Sequence, residues 1–334
     1  LEQENNDNEL ELFKEFTVDP GQSPLRIDKF LSEKLLNVSR SRVQNACDNG
    51  WVLVDEKVVK SNHKVKPGQH IQVFSSTKPP SSEIIPQDIP LDIVYEDDYI
   101  MLVNKKPGMV VHPGNGNPDG TLVNAVAFHW QKTDEELQRI GLVHRIDKYT
   151  SGLLLFGKDE QSVQFLADQF KEKTAKRKYI ALVWGPIEED EGTINLNIGR
   201  DQKYRTKYQV YPDGDEGKTA ITHYKVIERF GYTTLIECIL ETGRTHQIRV
   251  HMKSLGHPLF NDETYGGNKI VKGTVYTKYK QFVHNAFEIC PRQALHAKTL
   301  GFVHPHTKEE IHFDSELPED IKAVAEKWRK YIRQ

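Results

Sequence analysis

The chain has 334 residues, with 45 Lys and Arg against 48 Asp and Glu and a formal net charge of −3 at pH 7, a length that suggests about two domains. No stretch approaches the ~18 consecutive apolar residues of a membrane span, and the opening Leu1 to Asp19 is acidic rather than basic-then-apolar, so neither a membrane helix nor a signal peptide is expected. Cys47, Cys238 and Cys290 lie far apart without C-x-x-C spacing, which argues against a disulfide framework and a cysteine zinc site and for a reduced, cytoplasmic setting.

Residues 1–24 are polar and acidic without sustained periodicity and are expected to be a mobile tail, with at most a short strand near Phe13 to Val18. From Leu25 the pattern changes. Ile27, Phe30, Leu31 and Leu35 form a helical stripe, Ser39 is placed to cap a second helix carrying Val43, Ala46 and Cys47, and short strands follow around Trp51 to Val54, Val58–Val59 and Val65 to Val73. These make a compact helix-helix-strand unit over 25–74. The Pro/Ser-rich segment 75–90 reads as a linker. The remainder, 91–334, alternates apolar strand-like runs (Ile100 to Val103, Leu153 to Phe156, Tyr179 to Val183, Leu235 to Leu240) with helical patterns at Val163 to Phe170 and Ile248 to Leu255, as expected of one mixed α/β or α+β domain.

The negative net charge runs against nucleic-acid binding, which usually shows a basic excess. It averages over unlike segments. Acidic residues crowd the two ends, whereas Arg40 and Arg42, Lys105 and Lys106, and Lys173 to Lys178 form basic clusters between them. Phosphate loops are absent: Gly114 and Gly116 lack the third glycine of a dinucleotide fingerprint, and Gly217-Lys218-Thr219 has Pro212 where a Walker loop needs glycine. The histidines show no metal-ligand spacing, so neither metal nor cofactor is expected.

The dense polar constellation is His144-Arg145-Ile146-Asp147 followed by Thr150-Ser151-Gly152, abutting the apolar run Leu153 to Phe156. A charged loop against a buried strand can hold a reactive side chain rigidly. Lys178-Tyr179 opening a strand to Gly185, Gly243-Arg244-Thr245-His246-Gln247-Ile248-Arg249, and Leu295-His296-Ala297 complete a series of four motifs in order. The series resembles the RluA/RluD class of pseudouridine synthases, and residues 25–74 resemble the S4 RNA-binding domain. The resemblance implies an α+β chain, in which an S4-like αα-β module precedes a catalytic domain with a central mixed, largely antiparallel sheet flanked by helices. It also implies isomerisation of uridine in structured RNA, with Asp147 as catalytic carboxylate, Arg249 paired with it, and Tyr179 stacking on the base and accepting the C5 proton.

The chemistry allows Asp147 either to attack C1' or to remove the C2' proton. A stacked uridine must first be flipped out, and Arg145 is placed to fill the gap. His144, Thr150, Arg244, His246, Gln247, Leu295, Arg26, Lys29, Arg40, Arg42, Lys105 and Lys106 are the further RNA-binding candidates. The S4-like module implies the RluD-like branch and large-subunit ribosomal RNA, free or in an assembling subunit, as partner of a monomeric enzyme. The alternative is an S4-domain assembly factor with an inert synthase fold.

Overall fold

The computed structural model describes residues 10–35, 38, 40–76, 84–114, 116–132, 141–204, 206–214 and 216–333. They form two compact units that divide between Glu83 and Ile84. In the first unit, helices Ile27–Lys34 and Arg40–Asp48 pack Ile27, Phe30, Leu31, Val43 and Cys47 against Val52, Val54, Ile71 and Val73 of a small antiparallel sheet. Ser39 and the side chain of Arg42 lie outside the described residues.

Two segments differ from the sequence reading. Leu10–Thr17, placed in a mobile acidic tail with a short strand near Phe13 to Val18, is a strand of eight residues paired antiparallel with His70–Ser76. The composition misled because most of this strand is exposed. Its backbone satisfies the otherwise open edge of His70–Ser76, and Phe16 meets Phe30 edge-on at 6.3 Å. Residues 84–90, read as linker, pack on the second unit: Ile84 is buried in its core, Asn124 Nδ2 donates to the Ile85 carbonyl, and Gly120 N donates to Gln87 Oε1.

The second unit is built on a mixed sheet in which ten described strands take part. Its order is Glu191–Asn195, Ile221–Arg229, Thr233–Leu240, Lys176–Trp184, Leu295–Val303, Ser151–Gly157, Ile100–Lys105 and Ile93–Glu96, with Glu310–Asp314 beside Leu295–Val303 and Gly141–Leu142 beside Ser151–Gly157. All its pairs are antiparallel except the short parallel one between Ser151–Gly157 and Leu295–Val303. The central strands read as continuous apolar runs because both faces are covered. In Lys176–Trp184, Tyr179, Ala181 and Val183 face a core that includes Ile248 and Met252 of helix Gln247–Ser254. Ile180, Leu182 and Trp184 face helices Thr277–Ile289 and Glu319–Tyr331. Helix Glu160–Lys171 buries Leu166 with Leu153 and Leu155. Among the described residues no helix is long and apolar enough to cross a membrane.

Gly152 lies where the parallel and antiparallel pairings meet, opposite Ala297 on one side and Lys105 on the other. Its φ is +112°, and a Cβ there would come within 2.2 Å of the Ala297 carbonyl oxygen. Gly152→Ala therefore combines backbone strain with a backbone clash, and a loss of at least about 2 kcal/mol in urea unfolding is expected. A loss under about 0.5 kcal/mol would show that the junction yields.

Candidate active site

The loop from Val143 to Thr150 crosses the sheet end between Gly141–Leu142 and Ser151–Gly157. Two buried cations grip its backbone. Lys105 Nζ donates to the Lys148 carbonyl at 3.0 Å, and to those of Lys106 and Met109 at 3.0 and 2.9 Å. Arg292 Nη1 donates to the Tyr149 carbonyl at 2.9 Å while its Nη2 donates to Ser151 Oγ at 3.2 Å. The Arg292 fork also clasps Asp320, through Nε at 2.7 Å and Nη2 at 3.0 Å. Asp147, in the loop so held, is about one-fifth exposed.

Across the cleft, Thr242 to His246 turn into helix Gln247–Ser254. His246 adopts the left-handed conformation (φ 58°), and the Gln247 side chain closes the turn. Gln247 Oε1 accepts from Arg244 N and Thr242 Oγ1, and its Nε2 donates to the Ile221 carbonyl and Thr222 Oγ1. The helix then presents Arg249, whose Nη1 donates to Asp147 Oδ2 at 2.9 Å. Its other edge forms a forked pair with Asp262, through Nε at 2.7 Å and Nη2 at 2.9 Å. Burial works against the Arg249 charge. Hydrogen bonds and charge from Asp262, and then from Asp147, more than offset it and raise the guanidinium above its ordinary pKa.

His246 Nε2 stands 3.9 Å from Asp147 Oδ1, and Nδ1 bonds the Tyr265 hydroxyl at 2.8 Å. Burial lowers the His246 pKa against the opposing pull of Asp147, so the neutral ring is favoured. Tyr265 lays its ring over the Arg249 guanidinium at 5.0 Å, and burial pushes its hydroxyl up to about 12.

Asp147, Tyr179, Arg249, His246 and Leu295 converge on one cleft of about 310 Å³, the lower end of the size that holds a small ligand. Arg145 and Arg244 are exposed at its walls. Tyr179 is buried, its hydroxyl makes no hydrogen bond among the described residues, and burial raises its pKa. It is a neutral phenol at neutral pH. Among the described residues no cluster of His, Cys, Asp or Glu could hold a metal ion.

Four candidate RNA contacts are occupied by structure. Lys105 is 2 % exposed and spends its donors on the three carbonyls; burial and then the Arg292 charge lower it to about 7, with Asp147 opposing. Gln247 is 3 % exposed and fully used in the turn. His144 stacks on Phe170 and accepts from Leu155 N; burial, reinforced by Arg177, lowers it to about 3, which fixes it as a neutral acceptor. Thr150 is buried and accepts from Gln293 Nε2. In strand Ile100–Lys105 the last side chain turns inward while Lys106 stays exposed.

Gly243, which opens the third motif, is required by space. It has no left-handed φ to explain it; a Cβ there would lie 2.7 Å from Arg177 Nη1. Asp262, Tyr265, Arg292 and Arg177 were not anticipated. The available signals were slight: an arginine on a buried helix face needs acceptors for all its donors, and Arg177 sits two residues, hence one pleat, before Tyr179.

In the first unit, Arg26 and Arg40 converge on Asp28, a fully buried carboxylate that also accepts from Gln44 Nε2 at 2.7 Å. Burial raises the Asp28 pKa, but bonds from Arg26, Gln44 and Arg40 bring it far below the usual carboxylate range. Both arginines remain about half exposed, and Lys29 is exposed nearby.

Because Lys105 supplies three carbonyls with their hydrogen bonds, Lys105→Met should leave buried acceptors unpaired and cost about 2–4 kcal/mol in urea unfolding. An unchanged midpoint would mean that the loop does not depend on this clasp.

The family profile described as RNA pseudouridylate synthase matches residues 99–254, and that of the S4 domain matches residues 25–71. An uncharacterized RNA pseudouridine synthase of Chlorobaculum parvum is 46 % identical, over 92 % of this chain and 95 % of its own length. Ribosomal large subunit pseudouridine synthase D of Nitrosomonas europaea is 40 % identical, over 96 % and 88 %. The solved human RNA pseudouridylate synthase domain containing 4 shares the fold, with a TM-score of 0.56 at 20 % identity over 71 % of this chain and 92 % of that one. With this likeness along nearly its whole length, the chain belongs to the RNA pseudouridine synthase family, in the RluA/RluD class that carries an N-terminal S4 domain.

Proposed function

We propose that this enzyme converts specific uridines of large-subunit ribosomal RNA to pseudouridine, with Asp147 as the reacting carboxylate. The observation that carries the residue assignment is the pairing of Asp147 with the buried Arg249 in a cleft walled by Tyr179 and Leu295. The choice of RNA is supported by the Nitrosomonas europaea relative, named for the large ribosomal subunit, and by the S4 profile match.

In this reading a flipped uridine enters the cleft with its base on the Tyr179 ring and its ribose beside Asp147. Asp147 attacks C1' or takes the C2' proton, the N1 bond breaks, the uracil turns, and C5 bonds to C1' as the Asp147 carboxylate leaves it or returns the proton to C2'. Arg249, fixed by Asp262, aims the carboxylate. Exposed Arg145 fills the stack that the base leaves. Arg244, His246 and Leu295 shape the cleft, while Lys106 and, in the S4 unit, Arg26, Lys29, Arg40 and Arg42 meet phosphates.

Asp147→Asn keeps the side-chain shape and removes its charge, so pseudouridine formation on large-subunit ribosomal RNA should fall by at least about 10³-fold while RNA Kd stays within about threefold. Substantial residual turnover would sink the assignment of Asp147.

Tyr179 can accept the C5 proton only as its phenolate. Since its pKa is raised, the ionised fraction at neutral pH is small and grows with pH. Release of tritium from uridine C5 should therefore accelerate by up to about tenfold per pH unit from pH 7 upward in the wild type. In Tyr179→Phe it should be slow and pH-independent. If the Phe variant released tritium at the wild-type rate with the same slope, Tyr179 would be a stacking residue only.

A further inference from the structure

The strand face that offers Tyr179 carries Arg177 one pleat away. Arg177 is 6 % exposed, yet it lines the cleft. Its guanidinium lies over the Phe170 ring at 5.2 Å, in space that Gly243 leaves open. It has no counter-charge among the described residues. Nη2 reaches only the Leu240 and Glu241 carbonyls, at 3.4 and 3.3 Å, and the buried Nε has no hydrogen-bond partner. Among the described residues, every other buried arginine near the cleft has its carboxylate: Arg249 has Asp262 and Asp147, and Arg292 has Asp320.

An unpaired buried cation is costly to keep. Burial pushes the Arg177 pKa down, with Tyr179 opposing, and arginine nevertheless stays charged in proteins. Such a charge is useful where negative charge develops during a reaction. Uridine isomerisation supplies that charge. If Asp147 bonds to C1', the N1–C1' bond breaks and its electron pair leaves on N1. If Asp147 takes the C2' proton, a C1'–C2' double bond forms and the pair again leaves on N1. Either way the detached uracil is an anion, with charge spread over N1 and its two carbonyl oxygens, until C5 bonds to C1', which releases the Asp147 carboxylate in the first case and returns the proton to C2' in the second. The adduct so formed is neutral, and loss of its C5 proton with gain of a proton at N1 restores the aromatic base.

Resting on the reading that the flipped uridine occupies this cleft, we propose that Arg177 is a catalytic residue that stabilises the uracil anion while it is free of the ribose. Phosphate is the other anion that RNA brings, but phosphates meet exposed side chains. Arg145 and Arg244 are exposed, whereas Arg177 is buried beside Tyr179.

Large-subunit ribosomal RNA transcribed with uridine or with 5-fluorouridine provides two leaving groups of different acidity. The fluorinated base is the stronger acid and needs less help as an anion. Single-turnover rates of C-glycoside formation are read after digestion to nucleosides, alongside RNA Kd by filter binding. For Arg177→Met the rate with uridine should fall about 10²–10³-fold at unchanged Kd, and the fall with 5-fluorouridine should be about tenfold smaller. Arg177→Lys, which keeps the charge, should regain part of the rate and give an intermediate ratio. The ratio compares two substrates on one preparation, so a partly misfolded fraction cancels from it. Equal falls on both RNAs, or an effect confined to Kd, would overturn the role of Arg177. Absence of wild-type product from both RNAs would overturn instead the reading on which that role rests.

Discussion

The site depends on one guanidinium shared by two carboxylates. Arg249 is nearly inaccessible, and Asp262 is wholly so. Neither charge could stay buried alone, since removing one partner of such a pair leaves an ion without solvent or counter-ion. Their forked geometry fixes the direction of the remaining Nη1, and it is this direction that holds Asp147 Oδ2 at 2.9 Å. The left-handed His246, the Gln247 buckle and the Tyr265 ring all keep the helix start in the position this geometry needs.

Much of this was legible in the chain because short-range patterns and motif order carry it. The apolar run at Leu153 to Phe156 and the alternation of Tyr179, Ala181 and Val183 with Ile180, Leu182 and Trp184 mark central strands with both faces covered. Asp147 and Arg249 stood out through the residues around them. Asp262 did not: it is a single acid in a polar loop, and only the folded chain shows that it faces Arg249 thirteen residues earlier. Lys105 and Lys106 read as one basic patch, although Lys105 ends a strand with its side chain enclosed while Lys106, just past that strand, meets solvent. The full extent and pairing of Leu10–Thr17 escaped notice for a different reason. Its place is fixed by backbone pairing with His70–Ser76, which leaves little trace in side-chain composition.

The charge balance illustrates how little a net value says about local potential. Several cations that composition would assign to a partner are committed inside the fold: Lys105 to three carbonyls, Arg292 to Asp320, Arg249 to two acids. The other described lysines and arginines, Arg177 apart, are half-buried or exposed. Arg26 and Arg40 belong to both groups, because each leans on the enclosed Asp28 and keeps about half its surface outside. Their fork orientation is set before any ligand arrives, which lowers the ordering cost of a contact.

The clasped loop has a consequence for which uridines can react. A carboxylate whose backbone neighbours are tied by Lys105 and Arg292, and whose own oxygen is tied by Arg249, has almost no reach. It cannot travel toward a base that stays in its helix. The distortion needed to bring the two together therefore falls on the RNA, and its cost is least where a uridine is already mispaired, looped or weakly stacked. With Asp147 as the reacting group, selection among uridines is in part a survey of how cheaply each site in the RNA comes apart.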